Sequence, residues 1–121
     1  MTAPWLVGLD VDGTILLQDE SMSPGVVEAV AAAQAAGHEV MLATGRSWST
    51  TLPILERLDI RPHYAVCSNG AVVMRRTDDG DYERAHVETF DATEVLSLLH
   101  EHLGDARYMV ELADGSRLYT E

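Results

Sequence analysis

Short uncharged runs alternate along the first half of the chain with longer stretches whose apolar residues recur at helical spacing. Trp5-Leu6-Val7-Gly8-Leu9 is brief, apolar and β-prone, the pattern of a buried strand in a parallel sheet. Ser23 follows as an N-cap, with Pro24 at the first helical position and Met22 placed to staple onto Val27. Val26, Val27, Val30, Ala33 and Ala36 then mark one helix, which Gly37 ends. Val40 to Ala43 is predicted as a second strand and Trp48 to Leu58 as a second helix, with Leu52, Leu55 and Leu58 on one face. Pro53 either lies in its first turn or kinks it. Tyr64 to Cys67 makes a third strand. This β-α-β-α-β alternation predicts an α/β fold with a parallel sheet and right-handed crossovers.

The period then changes. Val72 to Arg76 and Tyr82 to Glu88 read as hairpin strands around Thr77-Asp78-Asp79-Gly80-Asp81. Asp91 is placed to cap a third helix, with Glu94 completing a capping box, Phe90 stapling onto Val95, and Gly104 as the stop. Leu96, Leu99 and Leu103 form its apolar face. Arg107 to Leu112 and Arg117 to Thr120 predict a last hairpin about Asp114-Gly115. The domain boundary is expected near residues 77–90, giving one unit over 1–77 and another over 78–121.

Charge narrows the choice of partner. The 121 residues carry a formal charge of −12, which disfavours nucleic acid and anionic membrane surfaces. Residues 1–77 hold eight acidic groups and five Arg, whereas residues 78–121 hold twelve and three, and there is no Lys. Cys67 is the single cysteine, so no internal disulfide can form and a reducing compartment is expected. The N-terminus lacks the basic and long apolar regions of a signal peptide, and no apolar run is long enough to span a bilayer. A cytoplasmic location is the expectation.

The chemistry gathers where strands end, which is where open α/β sheets bind ligands. The first strand runs into Asp10-Val11-Asp12-Gly13-Thr14. Residues two apart in an extended segment point the same way, so Asp10 and Asp12 are expected to converge. Two such carboxylates repel unless a cation or proton lies between them. Gly13 permits a sharp turn, and Thr14 adds a hydroxyl. The second strand ends in Thr44-Gly45-Arg46, offering a hydroxyl, a close backbone amide and a bidentate guanidinium. The third ends in Ser68-Asn69-Gly70-Ala71. Together these suit Mg²⁺ and a phosphoryl group.

Asp-x-Asp-x-Thr resembles the signature of the haloacid dehalogenase (HAD) superfamily. With Thr44-Gly45-Arg46 and Ser68-Asn69-Gly70-Ala71 in order, the chain resembles the N-terminal part of a Cof-type HAD phosphatase. That resemblance implies a Rossmann-like core followed by the start of an α/β cap, and Mg-dependent hydrolysis of small phosphorylated metabolites such as sugar phosphates. It implies Asp10 as nucleophile, Asp12 as acid/base and both as metal residues. Thr44 would hold phosphoryl oxygens, with Gly13, Thr14 and Gly45 alongside, while Arg46 and Asn69 would face substrate or the core–cap junction. Complete members also bring a Lys and an acidic loop from a C-terminal half of the core. With no Lys here, a truncated chain, inactive alone, is the expectation. By the same resemblance, Trp5 to Leu9 would become an open edge, inviting self-association or pairing with that missing half.

The remaining polar clusters are blander. His100 and His102 are two apart on a helix and cannot share a metal. Asp78-Asp79-Gly80-Asp81 reads as a solvated turn. A phospho-receiver domain, of similar length, would need an Asp at the end of the third strand and a Lys later, and neither is present. A non-catalytic module with a weak Mg²⁺ or phosphate site remains the rival reading.

Overall fold

The computed structural model describes residues 3–121, which divide into two compact units at Val87/Glu88. The first contains β1 (Leu6–Leu9), α1 (Val26–Ala35), β2 (Glu39–Leu42), α2 (Trp48–Leu58), β3 (Tyr64–Cys67), β4 (Val72–Arg76) and β5 (Tyr82–Val87). The second contains α3 (Thr93–His102), β6 (Met109–Glu111) and β7 (Arg117–Tyr119).

β1 and β2 pair in parallel, from Leu6 opposite Glu39 to Leu9 opposite Leu42. β3 meets the end of β2 through a parallel bridge between Ala43 and Val66, where the Thr44 amide donates to the Val66 carbonyl at 2.9 Å. β3, β4 and β5 form an antiparallel sheet, with a register shift between Val73 and Met74. The hairpin expected at the head of residues 78–121 is thus paired onto β3 in the first unit. The apolar β2 is buried from Val40 to Leu42. Leu16, Leu42, Leu55, Ala65 and Cys67 sit at the centre of the core. On β1, Leu6 is 66 % exposed.

Two helix starts differ from expectation. α1 does not begin on a Ser23 cap. Gly25 stands at φ 81°, ψ −5°, and the Val26 amide donates to the Ser23 carbonyl at 3.3 Å. Ser23-Pro24-Gly25-Val26 is therefore a type II turn, because Pro presets the second position and Gly alone takes the third without strain. Met22 bridges to Leu16 and packs on the core. α3 starts after Ala92, with the Asp91 carboxylate accepting from the Thr93 amide at 2.9 Å. A capping box needs its polar side chain at the cap position itself, so Glu94 has no such partner there. Phe90, expected to staple onto Val95, is 79 % exposed.

Helix ends follow backbone rules. Gly37 at φ 90° donates to Gln34, and His38 to Ala33, closing α1 in a Schellman arrangement. Asp59 (φ 55°) does the same for α2, with Ile60 donating to Leu55. Pro53 lies in the second turn of α2, and the helix continues through it.

Candidate functional site

Val11 organises the first loop. It is completely buried while Asp10 and Asp12 on either side are exposed, so anchoring one apolar side chain turns two carboxylates outward. The Val11 carbonyl accepts from the amides of Thr14, Ile15 and Leu16, which wraps the chain tightly behind the pair. Gly13 makes the reversal at φ 76°. The Thr14 hydroxyl donates to Asp10 Oδ2 at 3.3 Å.

The two carboxylates nonetheless take different partners. Asp12 accepts from Arg46 Nε at 2.9 Å and from Nη2 at 2.7 Å, a two-point grip, and Nη2 also reaches Glu20 Oε1 at 3.1 Å. The Arg46 hydrogen bond is the chief reason the Asp12 carboxyl lies below its usual range. The Arg46 guanidinium is correspondingly pushed up, first by Asp12 and then, against some desolvation, by Glu20. Arg46, expected to face a substrate anion, is engaged with Asp12.

Asp10 instead lines a cavity of about 280 Å³ with Ala43, Thr44, Gly45, Val66, Asn69 and Gly70. Thr44 is buried there, and its hydroxyl accepts from the Arg46 amide at 3.1 Å. The loops after β2 and β3 are stitched together. The Ser68 amide donates to the Arg46 carbonyl at 2.8 Å and the Asn69 amide to the Thr44 carbonyl at 3.1 Å. Asn69 holds φ 55° in the short 3-10 turn Ser68–Gly70, and its side chain lies directly over Gly45. A Cβ on Gly45 would stand 2.8 Å from Asn69 Oδ1.

Of the residues singled out from the sequence, Asp10, Thr44, Gly45 and Asn69 share this cavity, Thr14 touches it through Asp10, and Asp12 with Arg46 forms a neighbouring pair. Glu20 was missed. An acidic residue in a polar loop carries no signal that its backbone will turn to φ 62° and its carboxylate will meet a residue twenty-six positions away. Among the described residues no three acidic, His or Cys side chains cluster, and with the Asp12 carboxylate gripped by Arg46 the carboxylate facing the cavity is that of Asp10. One or two carboxylates completed by water and phosphate oxygens is the usual protein share of a Mg²⁺ shell, and this donor set fits it.

The fold and the loops define an α/β protein that brings a carboxylate, a buried hydroxyl and a close-approach glycine together at the ends of its strands. The chain belongs to the haloacid dehalogenase-like hydrolases, whose family model matches residues 7–121. Over 115 residues it is 32% identical to the phosphatase YwpJ of Bacillus subtilis, covering 95% of this chain and 38% of that one. It is 28% identical to the pyridoxal phosphate phosphatase YbhA of Escherichia coli, covering 80% and 35%. The fold matches the HAD subclass IIB sugar phosphatase BT4131 with a TM-score of 0.73 at 21% identity, over 97% of this chain and 44% of that one. The chain spans under two-fifths of the length of these curated relatives. No helix among the described residues is long and apolar enough to cross a membrane.

Proposed function

We propose that this chain carries the nucleophile-bearing part of a Mg-dependent phosphomonoester hydrolase acting on small phosphorylated metabolites, sugar phosphates among them. The observation that carries the proposal is the placement of Asp10 at a cavity edged by the Thr44 hydroxyl, Gly45 and the Asn69 amide. The names of the relatives, a pyridoxal phosphate phosphatase and a sugar phosphatase, support the substrate class.

Asp10, exposed and oriented by the Thr14 hydroxyl, supplies the attacking oxygen. Its bond to phosphorus forms as the ester P–O bond breaks, and the leaving oxygen takes a proton from Asp12. In the second half, water gives its proton to Asp12 and attacks phosphorus, the bond to Asp10 breaks, and phosphate leaves. Splitting one displacement in two is the gain of covalent catalysis. Thr44 and Gly45 bind the phosphoryl oxygens. Held by the Asp10 carboxylate and the Asp12 main-chain carbonyl, Mg²⁺ would neutralise charge on the phosphoryl group.

Arg46 sets a condition on Asp12. A two-point grip favours the carboxylate, which suits the base role with water. Protonating the leaving oxygen requires the guanidinium to release at least one Asp12 oxygen. The deciding experiment is Asp10→Asn, which keeps shape and removes the anionic nucleophile. In the full-length enzyme that carries this chain, turnover of a generic phosphomonoester and trapping of an aspartyl-phosphate should both vanish, and a near-parental rate would exclude Asp10 as nucleophile.

A further inference from the structure

We propose that Glu20 is a positioning residue that holds Arg46 across Asp12, latching the loop between β1 and α1 to the loop after β2. The proposal rests on the phosphatase reading for its kinetic consequence, but the latch itself is a matter of geometry. Arg46 Nη2 is shared between Asp12 Oδ1 at 2.7 Å and Glu20 Oε1 at 3.1 Å. The guanidinium therefore has Asp12 along its Nε and Nη2 atoms and Glu20 as a second acceptor on that same Nη2. The main chain of Glu20 is fastened as well. Its amide donates to the Leu17 carbonyl at 3.0 Å, and its carbonyl accepts from Arg57 Nη1 of α2 at 3.0 Å.

Two physical points argue that this arrangement serves position rather than stability. Glu20 stands at φ 62°, a left-handed conformation that a residue with a Cβ adopts at a cost. Its side chain is 73 % exposed, and ion pairs that open to water return little stability. The strained backbone and the exposed carboxylate make sense together only if the direction of the carboxylate matters. That direction keeps Arg46 off the neighbouring cavity and on Asp12. Without Glu20, Arg46 Nη2 loses its second acceptor, and once Asp12 is released for proton delivery nothing holds the guanidinium back from an anion bound beside Asp10. Glu20 touches no reacting atom and acts only through Arg46.

The test combines kinetics with a measurement that needs no turnover. Glu20→Gln, which keeps size and removes charge, should lower kcat about tenfold, at the lower end of what a supporting partner contributes, with KM within twofold. In an Arg46→Ala background the same change should do nothing further, since a residue acting through another has no effect once that other is gone. A separate measurement follows exchange of the Arg46 Nε proton by NMR, which should quicken at least tenfold in Glu20→Gln. Glu20→Gly, which relieves the backbone while deleting the carboxylate, should match Glu20→Gln in exchange while being no less stable than the parent. Additive losses in the double variant, a change confined to KM, or unchanged Arg46 exchange would each overturn the latch. If the full-length enzyme that carries this chain shows no hydrolysis above its Asp10→Asn variant, the phosphatase reading has failed, and the exchange measurement alone decides the latch.

Discussion

Arg46 grips both carboxylate oxygens of Asp12 across thirty-four residues of sequence, Nε to Oδ2 at 2.9 Å and Nη2 to Oδ1 at 2.7 Å. A guanidinium fork and a carboxylate match in plane and spacing, so this contact fixes direction as well as distance. It ties the loop after β1 to the loop after β2, and it decides which of the two Asp residues is left facing the cavity.

The pairing should show in the pH dependence of stability. Asp12 lies below its ordinary value of 3.8 because Arg46 favours the charged form. The contribution is therefore fully present above that value and fades as pH falls through the lowered folded-state value. With Asp12 60 % exposed the effect is small, below about 1 kcal/mol. Urea unfolding of the parent and Arg46→Ala should differ at pH 6 and converge toward about pH 2. A gap that persists in acid would assign it to packing of the Arg46 stem instead.

Asp12→Asn should slow esters with poor leaving groups more than those with good ones, because a poor leaving oxygen depends on the proton that Asp12 delivers. The loss should approach 100-fold or more for an alkyl phosphate, the low end for general acid catalysis. Rates measured across a series of leaving-group pKa values check this. Equal losses along the series would remove Asp12 from the proton transfer.

Gly45→Ala would force Asn69 aside, since the new Cβ stands 2.8 Å from Asn69 Oδ1. The obstacle is the end of a side chain, so the fold should survive with a cost of about 1 kcal/mol. Affinity for inorganic phosphate, followed by NMR titration, should drop. Asn69→Gly keeps the φ 55° backbone accessible and removes the obstacle. In that background Gly45→Ala should cost nothing more, and additive costs would show that the two do not meet.

Trp5, just before β1, and Leu6 at its start are 69 % and 66 % exposed, and β2 is the one strand partner of β1 among the described residues. An apolar edge without charge invites pairing with another chain. The 121-residue chain should therefore self-associate with rising concentration in sedimentation velocity, and Leu6→Lys should shift it toward monomer. A parent chain that is monomeric at every concentration would refute this.

Much of the architecture was legible because it depends on local pattern. Short apolar runs between polar turns mark β1, β2 and β3, and α2 spans Trp48–Leu58 as its leucine spacing predicts. Turn chemistry was harder to read. Ser23-Pro24-Gly25 offers both a helix cap with a Pro start and a type II turn, and Gly25 taking φ 81° settles the choice. Asp91 similarly serves Thr93 from one position before the observed cap, Ala92.

The sequence by itself determined which side chains reach the strand ends, since alternation about the buried Val11 turns Asp10 and Asp12 outward whatever packs around them. It also determined that Thr44 and Asn69 follow their strands directly. Only the tertiary structure decided how those groups are shared out. Asp10 joins Thr44, Gly45 and Asn69 because the bridge between Ala43 and Val66 brings two loops together. Asp12 goes to Arg46 and Glu20, a pairing of residues 12, 20 and 46 that no local pattern encodes. Local propensity acts over a few residues, whereas the direction of a charged side chain is set by whichever partners the packed core carries within reach.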